Sequence, residues 1–238
     1  LARVLEASAI DCILVGDSAA MVMHGHGDTL AATVELMALH TAAVRRGAPT
    51  RFLVGDLPFL SFRKGVRDAL DAVAALMRAG AQAVKLEGVT GHEDVIEAIV
   101  GSGVPVMGHL GLTPQSVNAL SGFGVQGRRE DDAARIVEDA RRLEALGCFS
   151  IVLECVPSAL GARITSALKV PTIGVGAGIH CDGQVLVLQD LLGLTGGHRP
   201  KFVRSYLDGN AAVREAIDRF DHDVKKGDFP TAAESYDA

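Results

Sequence analysis

The chain carries too little positive charge to read as a nucleic-acid binder. Its 23 Lys and Arg stand against 29 Asp and Glu, a formal net charge of −6, whereas affinity for a phosphate backbone comes from clustered cations that neutralise phosphates. Long hydrophobic runs are missing too. Gly, Asp or Lys interrupts the longest apolar stretches well short of the roughly 20 residues a membrane-spanning helix needs. No signal-peptide pattern opens the chain, so the expectation is a soluble, cytoplasmic protein with neither nucleic acid nor membrane as partner. Cysteine is sparse: Cys12, Cys148, Cys155 and Cys181 show none of the paired spacings of zinc sites, and the chain is far larger than disulfide scaffolds. They read as free thiols, mostly buried. Low-complexity linkers and repeats longer than a strand–helix unit are also absent, so a single domain over residues 1–238 is expected.

What is present is a core and a rhythm. With 238 residues and 48% hydrophobic content, the chain can bury the interior of one α/β barrel. Short apolar runs recur: Ile13 to Asp17, Phe52 to Asp56, Ala83 to Glu87, Val104 to His109, Ile151 to Glu154 and Thr172 to Gly176. Helical patterns separate them, as in buried parallel strands. The spacing predicts helices over about 33–46, 66–78, 93–100 and 211–225, and a further strand over 184–189. Leu1, Val4 and Leu5 lie at helical spacing, so the chain opens inside a helix and a strand is expected ahead of residue 1. The economical fold is a (β/α)8 barrel with that first strand missing, and an open doubly wound sheet is the second choice. Residues Leu110 to Arg129 exceed the median loop of about 4–6 residues, and loops of that length are usually functional. This one is expected to close over a bound substrate.

In such folds ligands sit at the carboxyl ends of the strands. Neighbouring strands lie about 4.8 Å apart, so Asp17, Asp56 and Glu87 can meet around one ion. An all-oxygen donor set suits a hard cation such as Mg²⁺; the plainer reading is that each acid caps the helix that follows. Lys85 shares a face with Glu87 and either neutralises the acids or receives a substrate carboxylate. Glu154 ends a strand across the barrel, where a general base would sit, unless it pairs with Arg163 or Lys169. Cys155 beside it reads as packing rather than nucleophile. His109 orients a substrate oxygen, bonds an acid, or is a satisfied core histidine. His24 and His26 have His-x-His spacing but lack a third ligand of matching softness for zinc. Gly174 to Gly178 departs from the dinucleotide fingerprint and fits either a close ligand approach or a tight turn.

Several segments carry a more specific likeness. They are Val15-Gly16-Asp17-Ser18, Gly55 to Phe59, Val84 to Gly88, Gly108 to Asn118, Leu153 to Pro157, Gly174 to Gly178, Cys181 to Val187 and Thr195 to Phe202. In these, across nearly its whole length, the chain resembles the ketopantoate hydroxymethyltransferase family. The resemblance implies a (β/α)8 barrel of the phosphoenolpyruvate/pyruvate-type superfamily, assembled as a homodecamer of two pentameric rings. It implies transfer of a hydroxymethyl group from 5,10-methylenetetrahydrofolate to 3-methyl-2-oxobutanoate, giving 2-dehydropantoate for pantothenate biosynthesis, through an enolate that Mg²⁺ stabilises. Residue by residue it makes Asp17, Asp56 and Glu87 the metal acids, Asp17, Ser18, Asp56 and Lys85 the keto-acid contacts, and Glu154 the proton acceptor. Family members normally begin with a strand bearing a Thr-Ala-Tyr-Asp-like segment, which has no counterpart here. Two rivals stand beside this reading: another Mg²⁺-dependent barrel enzyme that makes or breaks a carbon–carbon bond in a 2-oxo acid, and a catalytically silent ring scaffold.

Overall fold

The computed structural model describes residues 1–119, 122–197 and 199–236. Leu120 and Ser121, inside the long loop, and His198, inside one of the family-like segments, lie outside the described residues. The chain divides into two compact units, Leu1–Val185 and Leu186–Ala238.

The first unit is an α/β fold. Its strands are β1 (Cys12–Val15), β2 (Phe52–Asp56), β3 (Ala83–Glu87), β4 (Val106–Gly111), β5 (Ser150–Glu154), β6 (Thr172–Val175) and β7 (Gly183–Gln184). They pair in sequence order, every neighbouring pair parallel, in a sheet curled into half a barrel. Helices α1 (Ala2–Glu6), α2 (Ala19–Val22), α3 (Val34–Gly47), α4 (Val66–Arg78), α5 (Glu93–Gly101), α6 (Glu130–Ala145) and α7 (Ser158–Ala167) lie between the strands or before the first. The strands read as nearly continuous apolar runs because both faces are covered. In β3 all five residues are buried, two of them charged.

The period of two along each strand divides the interior into two clusters. Leu53, Val84, Leu86, Val106, Ile151 and Leu153 face the helices and pack with Ala69, Val73, Leu76, Ile96, Ile136 and Leu143. The alternate residues Val54, Ala83, Met107 and Val152 form a separate inner cluster with Leu14, Phe52, Phe149, Ile173 and Val175. Helix α4 shows why the outer layer forms. Ala69, Ala72, Val73 and Leu76 are its buried residues, spaced i, i+3, i+4 and i+7 along one stripe. Thr33 starts α3 by accepting a hydrogen bond from the Leu36 amide, satisfying one of the donors a helix start leaves free.

Three details differ from the sequence reading. Strand β1 stops at Val15, leaving Asp17 two residues beyond it, and β4 continues to Gly111, placing His109 inside a strand instead of at its end. The strand expected over 184–189 is only Gly183–Gln184, followed by a helical turn, α8 (Leu188–Leu191); a short apolar run does not by itself distinguish strand from buried helix.

The second unit holds α8 and the long helix α9 (Gly209–Lys226). Asp208 caps α9 by accepting from the Ala211 amide, and Gly227 ends it in a left-handed conformation at φ 78°. Asp190 gathers the preceding loop, accepting from Thr195 Oγ1 at 2.6 Å through its side chain and from Ser205 Oγ at 2.8 Å through its carbonyl. No helix among the described residues is long and apolar enough to cross a membrane.

The contact of β4 with α6 is tight enough to test. A Cβ on Gly108 would lie 2.6 Å from Leu143 Cδ1, and Leu143 is fully buried. Gly108→Ala should therefore cost about 1–3 kcal/mol in urea unfolding through overpacking. Combined with Leu143→Ala the losses should be less than additive, because the new methyl partly fills the cavity; strict additivity would refute this account of the contact.

Candidate active site

Backbone register assembles a polar layer directly above the inner apolar cluster. Asp56 pairs with Lys85 across β2 and β3, Glu87 with His109 across β3 and β4, and Gly111 with Glu154 across β4 and β5. Four of the polar residues lie two positions beyond an inner apolar residue on their own strand, Val54 to Asp56, Ala83 to Lys85, Met107 to His109 and Val152 to Glu154, and Glu87 lies two beyond Lys85. Asp17 joins from the turn after β1, its amide donating to Asp56 Oδ2 at 3.3 Å. Gly111 is needed where it stands, at φ 93°, because a Cβ there would meet the Glu154 carbonyl oxygen at 2.2 Å.

The side chains form one connected system. Lys85 Nζ lies 2.9 Å from Asp56 Oδ1 and 3.4 Å from His109 Nδ1. His109 sits between two acids, with Nδ1 3.4 Å from Glu87 Oε1 and Nε2 3.1 Å from Glu154 Oε2. Asp17, Asp56, Lys85, Glu87 and His109 are all buried, while the Glu154 side chain keeps 20% exposure. Burial pushes Asp17 up to about 8, with repulsion from Asp56 and Glu87 adding to it. Burial opposes the charge on Lys85, yet Asp56, Glu87 and Asp17 outweigh it and raise the ammonium above its ordinary range. Burial raises Asp56 as well, but a charged lysine at 2.9 Å keeps that pair ionic. For His109, burial and the Lys85 charge push down, whereas contacts with Glu154 and Glu87 prevail and carry it up to about 9. The imidazole thus holds its proton more tightly than a free histidine, with a carboxylate on each side and Lys85 Nζ 3.4 Å from Nδ1.

The sequence reading missed Gln115. It is buried, its amide group donates to Asp17 Oδ2 at 2.8 Å and to the Leu57 carbonyl at 2.9 Å, and its backbone N–H donates to Glu87 Oε2 at 3.1 Å. One residue thereby ties the turns after β1 and β2 to the end of β3. Only its place in Leu112-Thr113-Pro114-Gln115 hinted at this, because a glutamine in a long loop has no periodicity to mark it. The front of that loop is already seated: the Leu112 amide donates to the Glu154 carbonyl at 2.8 Å and Pro114–Ser116 form a 3₁₀ turn.

Other expectations resolve individually. Arg163 pairs with Glu130 at 2.7 Å, so Glu154 has His109 as its partner instead. Ser18 stands at the start of α2, its Oγ beside Gly16, whose Cβ position also lies 3.9 Å from Asp56 Oδ2; it borders the polar layer. Cys155 is buried, and burial together with Glu154 pushes its thiol up to about 11, which suits packing. All four cysteines are free, with Cys148 and Cys155 buried, Cys181 half-buried and Cys12 exposed. His24 Nε2 meets His40 Nε2 at 2.8 Å rather than a metal-ligand set with His26. Gly178 has φ 89° and would place a Cβ 2.1 Å from Ser158 Oγ, which supports the tight-turn reading of that loop.

The donor set suits a divalent cation in charge and chemistry. Four carboxylates against Lys85 and protonated His109 leave an excess of two negative charges when all are ionised. Asp56 Oδ1 and Glu87 Oε1 are buried without a properly aligned hydrogen bond and face Lys85 at 2.9 Å and His109 at 3.4 Å, so a divalent cation would share or replace these contacts. No three His, Cys, Asp or Glu side chains among the described residues converge as a finished metal cage, since Lys85 holds Asp56 and Gln115 holds Asp17. A cation here would need further oxygens from its substrate, which is how Mg²⁺ is commonly bound.

A family model described as ketopantoate hydroxymethyltransferase matches residues 1–232. The 3-methyl-2-oxobutanoate hydroxymethyltransferase of Bdellovibrio bacteriovorus is 56% identical over 235 residues, 99% of this chain and 89% of that protein. The enzyme of the same name from Coxiella burnetii is 52% identical over 96% of this chain and 86% of its own length. In fold, the chain is similar to phosphoenolpyruvate phosphomutase from Streptomyces platensis subsp. rosaceus, with a TM-score of 0.60 at 14% identity over 95% of this chain and 79% of that one. That likeness, at such low identity, is one of fold: parallel strands in sequence order alternating with helices.

The electrostatics fix the sign of a pH effect. Asp17 binds its proton more tightly folded than unfolded, so between the ordinary carboxylate range and about 8 folding takes up a proton and stability falls as pH rises. His109 acts in the same direction between its ordinary value and about 9. In chelator, Asp17→Asn should lose the Asp17 part of this slope, so its melting temperature should gain on the parent's from about pH 5 to pH 8. Parallel melting curves across that window would contradict the assignment.

Proposed function

The chain belongs to the ketopantoate hydroxymethyltransferase family, and from that premise we propose that it transfers a hydroxymethyl group to C3 of 3-methyl-2-oxobutanoate, giving 2-dehydropantoate. The observation that carries the reading is the buried layer in which His109 lies between Glu87 and Glu154 while Asp17, Asp56 and Lys85 close its other side. The deep part suits the charged end of a keto acid. Lys85 and the Ser18 hydroxyl would receive the substrate carboxylate. Asp17, Asp56 and Glu87 would hold Mg²⁺, which when bound supplies Lewis-acid stabilisation of negative charge on the 2-oxo group.

Glu154 is the proton acceptor. Its carboxylate stands at the rim of the layer, and His109 holds it on one oxygen, leaving the other to take the C3 proton. The resulting enolate carbon attacks a one-carbon unit at the oxidation level of formaldehyde, donated by 5,10-methylenetetrahydrofolate. Water supplies the hydroxyl oxygen and tetrahydrofolate leaves. C3 becomes quaternary in this step, so a carbon–nitrogen adduct could not be released by elimination across C3. The folate methylene is therefore hydrolysed before or during carbon–carbon bond formation. The same family reading carries a homodecamer of two pentameric rings and a cytoplasmic location for the working enzyme.

Two experiments bear on these roles. Glu154→Gln keeps the size and much of the contact with His109 but accepts no proton, so deuterium exchange at C3 without folate should fall by about 10²–10⁴-fold while keto acid with Mg²⁺ still binds. Exchange at the parent rate would move proton removal to another group. Asp56→Asn removes one anionic oxygen at constant volume and should weaken Mg²⁺ in calorimetric titration with keto acid; unchanged affinity in a folded variant would reject the ligand assignment.

A further inference from the structure

The loop between β2 and α4 leaves the polar layer at Asp56 and does something costly. Leu57, Ser61 and Phe62 are buried, but between them Phe59 is 39% and Leu60 43% exposed. Leu60 also has φ 59°, a left-handed conformation in which a leucine is strained. This is not a loose loop tip. The Leu57 amide donates to the Lys85 carbonyl at 2.8 Å and its carbonyl accepts from Gln115 at 2.9 Å. The Ser61 amide and hydroxyl both donate to the Pro58 carbonyl, at 3.0 and 2.7 Å. The Arg63 amide donates to the Leu60 carbonyl at 3.2 Å, and its guanidinium donates to the Glu87 and Thr90 carbonyls at 3.2 and 3.1 Å. The surroundings over-determine a strained backbone that presents two apolar side chains to water, and strain of this kind clusters at ligand clamps.

Phe59 lies three residues past Asp56, about 10 Å of chain at most, so the pair is within reach of a ligand seated on the acids. The chain then turns basic: Lys64 and Arg67 are exposed, four and seven residues past Leu60. An apolar ledge followed by cations suits a ligand with a flat aromatic head and an anionic tail. We propose that Phe59 and Leu60 form the platform for the pterin head of the reduced-folate donor, and that Lys64 and Arg67 receive its glutamate carboxylates. The inference rests on the function proposed above, adding to it where the second substrate lies.

Calorimetric binding of tetrahydrofolate to the parent and to folded variants tests it. Phe59→Ala should weaken tetrahydrofolate about tenfold, the order expected when an aromatic face is lost from a contact. Leu60→Gly should weaken it too while leaving the melting temperature equal or higher, because glycine relieves the left-handed strain; a merely structural Leu60 would instead lower it. Replacing Lys64 and Arg67 together by Ala should weaken tetrahydrofolate but not the tail-less 6-methyltetrahydropterin. Equal losses for both ligands would overturn the role of the cations. Parent-like tetrahydrofolate affinity in both apolar variants would overturn the platform, and a changed assembly mass with that affinity would make the ledge a contact between copies of this chain. If the parent binds no tetrahydrofolate yet exchanges the C3 hydrogen, the donor reading falls and the platform with it. If only the variants behave like the parent, the platform alone falls.

Discussion

Lys85 carries an ammonium group into a layer that water hardly reaches, and the surroundings of that charge organise the site. At 2.9 Å from Asp56, the attraction is about 6 kcal/mol at an effective dielectric of 20. Desolvating the two ions costs several kcal/mol each, so the pair alone does not cover its own burial. Glu87 and Asp17 add further attraction, and their mutual repulsion falls because the lysine stands among them. Remove the ammonium, and three acids would share a buried layer with His109 as the nearest compensating charge. The acids and the lysine are therefore one unit, which explains why Lys85 and Glu87 occupy alternate positions of the same strand.

Barrel geometry makes this unit cheap to position. In a parallel sheet, register alone places Asp56 beside Lys85 and Glu87 beside His109, with no flexible side chain needed to span a gap. The inner apolar cluster beneath them excludes water from below, and Gln115 closes the layer from the loop side. Its three hydrogen bonds link segments far apart in sequence, so a displacement of the loop after β4 would reach Asp17 and Glu87 together. Gly111 has a related role: a side chain there would push against the backbone that carries Glu154.

Much of this was legible in the residues. Runs ending in Asp56, Glu87 and Glu154 betrayed both the strands and the ends at which the acids gather, because a buried parallel strand has few reasons to close on a carboxylate. The helix over 66–78 was evident from the spacing of Ala69, Ala72, Val73 and Leu76. What escaped notice lacks a periodic signature. Gln115 acts through a loop whose path depends on tertiary contacts. The partner of Glu154 proved to be His109 on the neighbouring strand, because cross-strand register outweighed proximity to Arg163 along the chain. The helical turn at Leu188–Leu191 arose from an apolar run compatible with either period. Leu60 was invisible as well, since a positive φ at leucine contradicts its own propensity and follows only from the bonds on either side of it.

The gradient of burial orders the proposed reaction in space. Lys85, Glu87 and His109 are at most 4% exposed, whereas the Glu154 side chain reaches 20% and Phe59 and Leu60 about twice that. A keto acid entering with its charged end first would place its carboxylate and 2-oxo group among the buried charges and its branched C3 outward, toward Glu154. In the proposed reaction, proton removal would then fall at the boundary between dry interior and open mouth, where the carbanionic carbon could meet a donor too large to enter the polar layer. The base cannot lie deeper, because C3 would then face away from the donor. Nor can it be fully solvated, because a carboxylate in bulk water would lose the His109 contact that holds its orientation. Position at the rim is thus a requirement of a two-substrate carbon–carbon bond formation, and Glu154 is the acid of this layer that meets it.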